Sequence, residues 1–182
     1  MRRFNMLLLI TFISLFISNV HTSAQKLTGF GEWRLYYFLD EFGDSMYDKP
    51  FLETKINNPN GKTLTIALTN KVDSSKDVMS FGIDDGYCLT ALDRNASISF
   101  KLSNGKIYKF NIPDTNLIGG QIYIRNQKDI ATIANILNRG NCKVSISAHW
   151  EGDSYVSPNH IWSFSITNQT KDILNAYDNY LQ

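Results

Sequence analysis

The 182-residue chain lacks a long apolar run, and this absence restricts the protein class first. Its longest run, residues 6–17, has twelve residues and is interrupted by Thr11 and Ser14. A membrane-spanning helix needs about twenty. The sequence therefore predicts no transmembrane span.

A charge excess of either sign is also missing. Lys and Arg together number 18 against 17 Asp and Glu, which gives a formal net charge of +1. Proteins that bind nucleic acid or acidic membrane surfaces by charge carry a strongly basic domain or stripe. The composition therefore predicts no nucleic-acid partner.

Familiar catalytic motifs are absent as well. The chain holds no Gly-x-Ser-x-Gly nucleophile elbow, and its Gly119-Gly120 pair has the context of a turn rather than of a phosphate-binding loop. These absences favour a non-enzymatic protein and predict no cofactor.

The N-terminus has the pattern of a signal peptide. Arg2 and Arg3 precede the short apolar run, and Thr22-Ser23-Ala24 supplies small residues for cleavage after residue 24. No cysteine stands at this position to carry a lipid. We therefore expect residues 1–24 to be removed and residues 25–182 to form one exported domain, periplasmic or extracellular.

Only two cysteines, Cys88 and Cys142, are present. In an exported protein a cysteine pair is most simply a disulfide, here closing a loop of 54 residues (142 − 88). The alternative is that both are buried thiols that pack as small hydrophobic side chains. The sequence favours the bridge.

Two hairpins can be placed in register from their apolar alternation. A three-residue turn at Ser103-Asn104-Gly105 pairs Phe100 with Tyr108 and keeps one face apolar. A similar turn at Pro59-Asn60-Gly61 pairs Ile56 with Leu64. Both patterns indicate a type I turn followed by a glycine in the left-handed region.

Further alternating segments predict strands over residues 33–39, 142–148 and 162–167, and a strand over 87–92 that turns through 93–95. Helical spacing predicts one helix between Asn126 and Gly140 and a second from about Thr170 onward. The fold class is therefore all-β or β-dominated α+β, an antiparallel β-sandwich with two short helices.

Several segments resemble a family of small exported proteins and lipoproteins of Gram-negative gut-type bacteria, marked by an Asp-x-Phe-Gly-Asp segment near the mature N-terminus. The segments that carry the resemblance are Trp33, Asp40-Glu41-Phe42-Gly43-Asp44, the Asn104-Gly105 hairpin, Leu137-Asn138-Arg139-Gly140, Trp162 to Asn168 and Asn175-Ala176-Tyr177. Ser45-Met46-Tyr47 departs from the Pro-Thr-Gly that the family has after this motif. The resemblance implies a β-sandwich-like domain and no activity.

Three functions follow as hypotheses. The leading one is a non-enzymatic interaction module for an envelope or extracellular protein partner. The second is a glycan-binding module in which Tyr36, Trp150 and Tyr155 stack on sugars. The third is a small metal-assisted hydrolase built on His149 and His160, whose spacing matches no common zinc pattern.

Overall fold

The computed structural model describes residues 25–30, 32–38, 42, 51–70, 77–85, 90–150, 159–168 and 170–173, with the backbone alone for 25–30, 36–38 and 69–70. Within these ranges, one complete α-helix, α1 (Gln127–Arg139), and a 3-10 turn, Asp114–Asn116, interrupt a series of strands. The strands are β1 (Gln25–Phe30), β2 (Trp33–Phe38), β3 (Phe51–Asn57), β4 (Thr63–Asn70), β5 (Asp77–Asp84), β6 (Leu92–Leu102), β7 (Ile107–Asn111), β8 (Leu117–Ile118), β9 (Gln121–Ile124), β10 (Cys142–Trp150) and β11 (His160–Ile166).

The strands form two antiparallel sheets. The larger has the order β1-β2-β3-β4-β5-β9-β8, where β8 is a two-residue edge, and the smaller has the order β11-β10-β6-β7. Antiparallel sheets with one buried face produce the apolar–polar alternation seen in the sequence. The β-dominated two-sheet fold is therefore confirmed, and the predicted second helix lies beyond the last described residue except for its first few positions.

Both predicted hairpin registers are confirmed. Phe100 lies opposite Tyr108, and Ile56 lies opposite Leu64. The glycines that close the two turns, Gly105 and Gly61, have φ values of +84° and +75°. Because only glycine adopts these angles without strain, the turn residues fix the register that buries one face.

The core lies between the two sheets. Leu52, Ile66 and Phe81 face it from the larger sheet and are at most marginally exposed. Phe100 of the smaller sheet meets Phe81 edge to face, with 6.3 Å between ring centroids. Burial of such side chains supplies most of the driving force that holds the sheets together.

Helix α1 begins and ends where the sequence predicts. The Asn126 side chain accepts hydrogen bonds from the amides of Lys128 and Asp129, at 2.9 and 3.3 Å. At the other end, the amide of Gly140 donates to the Leu137 carbonyl. The apolar side of the helix, which includes Ile133 and Leu137, is buried in the core.

Hydrogen bonds connect the C-terminal end of α1 to Thr170, and Thr170 to Trp33 at the start of β2. The Thr170 hydroxyl donates to the Leu137 carbonyl at 2.7 Å, and the Trp33 indole donates to the Thr170 carbonyl at 3.1 Å. Both hydrogen bonds are buried, so they satisfy polar groups that would otherwise be costly inside the core.

The predicted turn at residues 93–95 is wrong. These residues belong to β6, which carries two extra residues relative to β10: Ser97 lies opposite Ser147, but Arg94 lies opposite His149 and Leu92 opposite Trp150. Asn95 adopts a φ of +54°, which asparagine tolerates better than most residues. A bulge therefore continues the strand where the polar composition indicates a turn.

The predicted Cys88–Cys142 bridge is not seen. Cys142 is a buried free thiol, opposite Leu102 and Ile166, and no disulfide forms among the described residues. Cys88 lies outside them. Burial raises the pKa of the Cys142 thiol from its ordinary value of 9.0 to about 11.

We expect this thiol to make the protein less stable in alkali. Since the raised pKa belongs to the folded state, the thiol ionises first in the unfolded chain, and stability is lost as the pH rises from about 9 toward 11. The free energy of unfolding should fall by about 2 kcal/mol more in the wild type than in Cys142→Ala between pH 8 and 11. Equal pH dependence in the two proteins, with no free thiol in the denatured unreduced chain, would restore the bridge.

Candidate functional site

Among the described strands, β7 is an edge of the smaller sheet. Two backbone hydrogen bonds of 2.9 Å lie at the two ends of its pairing with β6. One runs from the Leu102 amide to the Lys106 carbonyl, and the other from the Ile112 amide to the Ala96 carbonyl. In an antiparallel ladder, the residues that bond to one neighbour recur at every second position. The even-numbered residues of β7 therefore bond to β6.

The odd-numbered residues of β7 direct their backbone groups the other way. Ile107, Lys109 and Asn111 turn their N–H and C=O groups toward the open edge, where no described strand pairs with them. Unpaired backbone groups in a row are a template for another extended segment. The edge can therefore accept a strand from outside.

A groove of about 450 Å³ runs along this edge. One wall is β7 and the residues that follow it. The opposite wall is the end of β9 and the beginning of α1. The lining residues are Lys109, Phe110, Asn111, Ile112, Pro113, Asn116, Ile124, Arg125, Asn126 and Asp129. The free strand edge thus lies in a concave surface rather than on a convex rim.

The side chains around the groove combine apolar and basic character. Phe110 is half-buried and packs edge to face on Phe100 at 6.0 Å, so its position is fixed by the core. Ile107 is 61% exposed at the start of the strand. Two cations, Lys109 and Arg125, line the groove together with a single carboxylate, Asp129. The edge therefore favours an extended segment that brings apolar side chains and a negative charge.

Of the three predicted sugar-stacking residues, only Trp150 has a described side chain. It is half-buried and contacts the exposed His160, with 5.5 Å between ring centroids, and His160 in turn lies 5.4 Å from Trp162. Tyr36 lies in β2 opposite Phe51, but its side chain is outside the description, as is all of Tyr155.

His149 forms a polar cluster at the β6 bulge. Its Nδ1 lies 2.6 Å from Asp93 Oδ1, and its Nε2 lies 3.3 Å from Arg94 Nη2. The arginine always donates, so Nε2 accepts and Nδ1 carries the proton toward Asp93. Both ring nitrogens are engaged within the protein. The bulge accounts for this contact, because a bulge changes the direction of a side chain and here directs Asp93 toward His149.

The two histidines of the predicted metal site have different surroundings. His149 is held by Asp93 and Arg94, whereas His160 lies between two tryptophans. Across the described ranges, no group of three or more His, Cys, Asp or Glu side chains is placed to hold a metal ion. The hydrolase hypothesis thus gains no ligand set from this part of the chain.

The strand edge escapes sequence analysis for a physical reason. Alternation reveals which face of a strand is buried, but whether a strand is central or at an edge depends on pairing between distant segments. Lys109 is the local signal in this strand, since lysine is common on edge strands.

No helix in the described part of the chain is long and apolar enough to cross a membrane. Comparisons of the chain with models of protein families, with curated proteins and with solved structures found no match. The resemblance to the exported family stays a prediction.

Proposed function

We propose that the protein is an exported, non-enzymatic interaction module that binds an extended segment of a protein partner as an added strand along β7. The observation that carries the proposal is the row of outward backbone groups at Ile107, Lys109 and Asn111, set in a groove. Strand addition gains affinity from main-chain hydrogen bonds and specificity from pockets for alternate side chains.

The partner segment has a defined chemistry. It is extended and β-prone, because it must satisfy the backbone groups of β7 at every second residue. It carries at least one acidic side chain, because Lys109 and Arg125 outnumber the single groove carboxylate of Asp129. An apolar residue of the segment packs against Phe110, which the core already holds in place.

Lys109→Pro tests this proposal at the backbone. Proline removes the outward N–H of residue 109 together with the lysine charge, while the even-numbered residues keep their bonds to β6. We expect partner binding to fall at least about tenfold, the equivalent of about 1.4 kcal/mol, with little change in thermal stability. Lys109→Ala is the matched control, since it loses the charge and keeps the N–H.

The measurement is affinity capture from crosslinked host cells with the full coding sequence expressed in its own host, followed by titration of the captured protein. A partner retained by the wild type and by Lys109→Ala but lost from Lys109→Pro supports strand addition. A partner retained equally by all three proteins contradicts it. Lys109→Glu should weaken binding further than Lys109→Ala if the segment is acidic.

A further inference from the structure

The solvent-facing side of the smaller sheet, called here the outer face, has an unusual composition. In the part of the sheet where all four strands pair, each strand contributes three side chains to this face, and none of them is acidic or aromatic. They are Ile161, Ser163 and Ser165 of β11, Lys143, Ser145 and Ser147 of β10, Ser97, Ser99 and Lys101 of β6, and Ile107, Lys109 and Asn111 of β7.

Pairing across the strands arranges these side chains in rows. In one row, Ser163, Ser145 and Ser99 are consecutive neighbours, and the hydroxyl oxygens of Ser145 and Ser163 are 3.3 Å apart. In the next row, Lys143 lies directly opposite Lys101. Lys109 is diagonal to Lys101 through its neighbour Ile107. The outer face is thus a field of hydroxyl groups beside a triangle of three cations.

The placement of Lys143 opposite Lys101 does not contribute to the stability of the fold. Like charges directly opposite each other on neighbouring strands are destabilising. Both lysines lie on the two central strands, so they do not protect an edge. Within the described residues, none of the three lysines is within ion-pair distance of a carboxylate. The three positive charges of this face therefore have no carboxylate partner among the described residues, and an external anion would neutralise them.

A polar depression lies on the same face, toward the Ser97–Ser147 end of the strands rather than beside Lys101 and Lys143. Asn95, Ser97, Asn111, Ser147 and Asn159 line it, together with Lys109. The side-chain amide nitrogen of Asn159, Nδ2, donates to the Asn95 backbone carbonyl at 3.1 Å, which holds this wall in place. From residue 95 to residue 101 the strand extends on the order of 20 Å.

Asp114 also lines the depression, but its carboxylate is engaged in a hydrogen bond within the protein. Its carboxylate accepts a hydrogen bond of 3.0 Å from the Asn95 amide, so it fixes the bulge. Uncharged amides and hydroxyls provide both donors and acceptors, which is what a sugar ring requires. The depression and the lysines together match a ligand with many hydroxyl groups and repeated negative charges.

We infer that the outer face binds an anionic polysaccharide, a chain of sugars that carries carboxylate or sulfate groups. The depression holds sugar hydroxyls, and Lys101, Lys143 and Lys109 hold the acidic groups. The ligand differs from that of strand addition, and the inference rests on Lys101, Lys143 and the depression, although the outer face shares the side chains of Ile107, Lys109 and Asn111 with the strand edge. It therefore does not depend on the proposed function.

Other polyanions fit the outer face less well. Single-stranded nucleic acid is bound through aromatic side chains on which bases stack, and this face has none. An anionic membrane needs a buried apolar surface or a larger basic cluster. Protein interfaces are depleted in Lys and Ser at their centres. The centre of the outer face, by contrast, consists mainly of serine and lysine side chains.

The test uses the double variant Lys101→Gln/Lys143→Gln of the full-length protein. Its matched control is Lys106→Gln/Lys128→Gln, which removes the same charge from two exposed lysines outside the face. The probes are polygalacturonate, dextran sulfate and uncharged dextran, together with single-stranded DNA and vesicles with anionic lipid. Binding is measured by titration calorimetry at low salt, because salt screens exposed charges.

We expect the wild type to bind polygalacturonate or dextran sulfate and not uncharged dextran. The face variant should lose about tenfold in affinity, while the control variant keeps wild-type affinity. Asn111→Ala should also weaken binding, which a purely ionic attraction would not show. The thermal midpoint of the face variant should not fall, since it removes a repulsion.

Three results would overturn the inference. One is that neither anionic polysaccharide binds the wild type. Another is that both glutamine variants lose affinity equally, because overall charge alone would then explain binding. The third is tighter binding of DNA or vesicles than of either polysaccharide.

Discussion

Replacing Phe100 by alanine is expected to lower the free energy of unfolding by about 3–5 kcal/mol. Phe100 is fully buried in β6, one of the two central strands of the smaller sheet. Its ring meets Phe81 of the larger sheet and Phe110 of β7, with centroids 6.3 and 6.0 Å apart. Truncation removes both aromatic contacts and leaves a cavity where the two sheets join.

The loss is a large share of a typical stability of about 5–15 kcal/mol, and the thermal midpoint should fall by about 10 °C. Chemical denaturation measures the free energy, and the slope of the transition checks that unfolding stays cooperative. Ile161→Ala is the control, because that side chain is 68% exposed and its removal should change stability by no more than about 0.5 kcal/mol. Similar losses for the two variants would contradict packing of the sheets through Phe100.

The hairpins were predictable because their information is local. At residues 97–112, the apolar alternation and the position of Gly105 leave one register that keeps a single face apolar, and the structure has that register. Asn126 and Gly140 identify the ends of α1 for the same reason, since caps are satisfied within one turn of the helix.

The predictions that were wrong concern residues whose structure depends on partners far away in the sequence. Residues 93–95 have the composition of a turn, but pairing with β10 continues the strand through them as a bulge. His149 appeared as a candidate metal ligand in a polar loop. It lies instead in β10, buried against Asp93, 56 residues earlier in the chain. Neither outcome is encoded in a short window, because a bulge is defined by two strands.

The candidate sites were missed for a related reason. Alternation in β6 and β10 predicts serine and lysine on an exposed face, but only the strand order places Lys101 opposite Lys143. The same order makes β7 an edge. Local sequence therefore determines which side chains are exposed, while topology determines which of them act together.

Gly140→Ala is expected to cost about 3 kcal/mol or more, although it adds one methyl group. Gly140 has φ +63° and ψ −171°, a region that is essentially restricted to glycine and costs other residues about 1–3 kcal/mol. A Cβ there would lie 2.5 Å from the Thr167 carbonyl oxygen. This oxygen already accepts a 3.0 Å hydrogen bond from the Asn141 amide, so moving it breaks the contact between the end of α1 and the end of β11.

Gly105→Ala separates the two causes of that loss. Gly105 also has a positive φ, +84°, but a Cβ at this position meets no atom within 4 Å. Its substitution should cost only about 1–2 kcal/mol, the ordinary penalty of the left-handed region. Denaturant titration of both variants measures the difference, which is the contribution of the close approach of Gly140 to Thr167. Equal losses would mean that the helix end moves aside to make room. Since Thr170 and Trp33 hold the same end through buried hydrogen bonds, we expect that movement to be resisted.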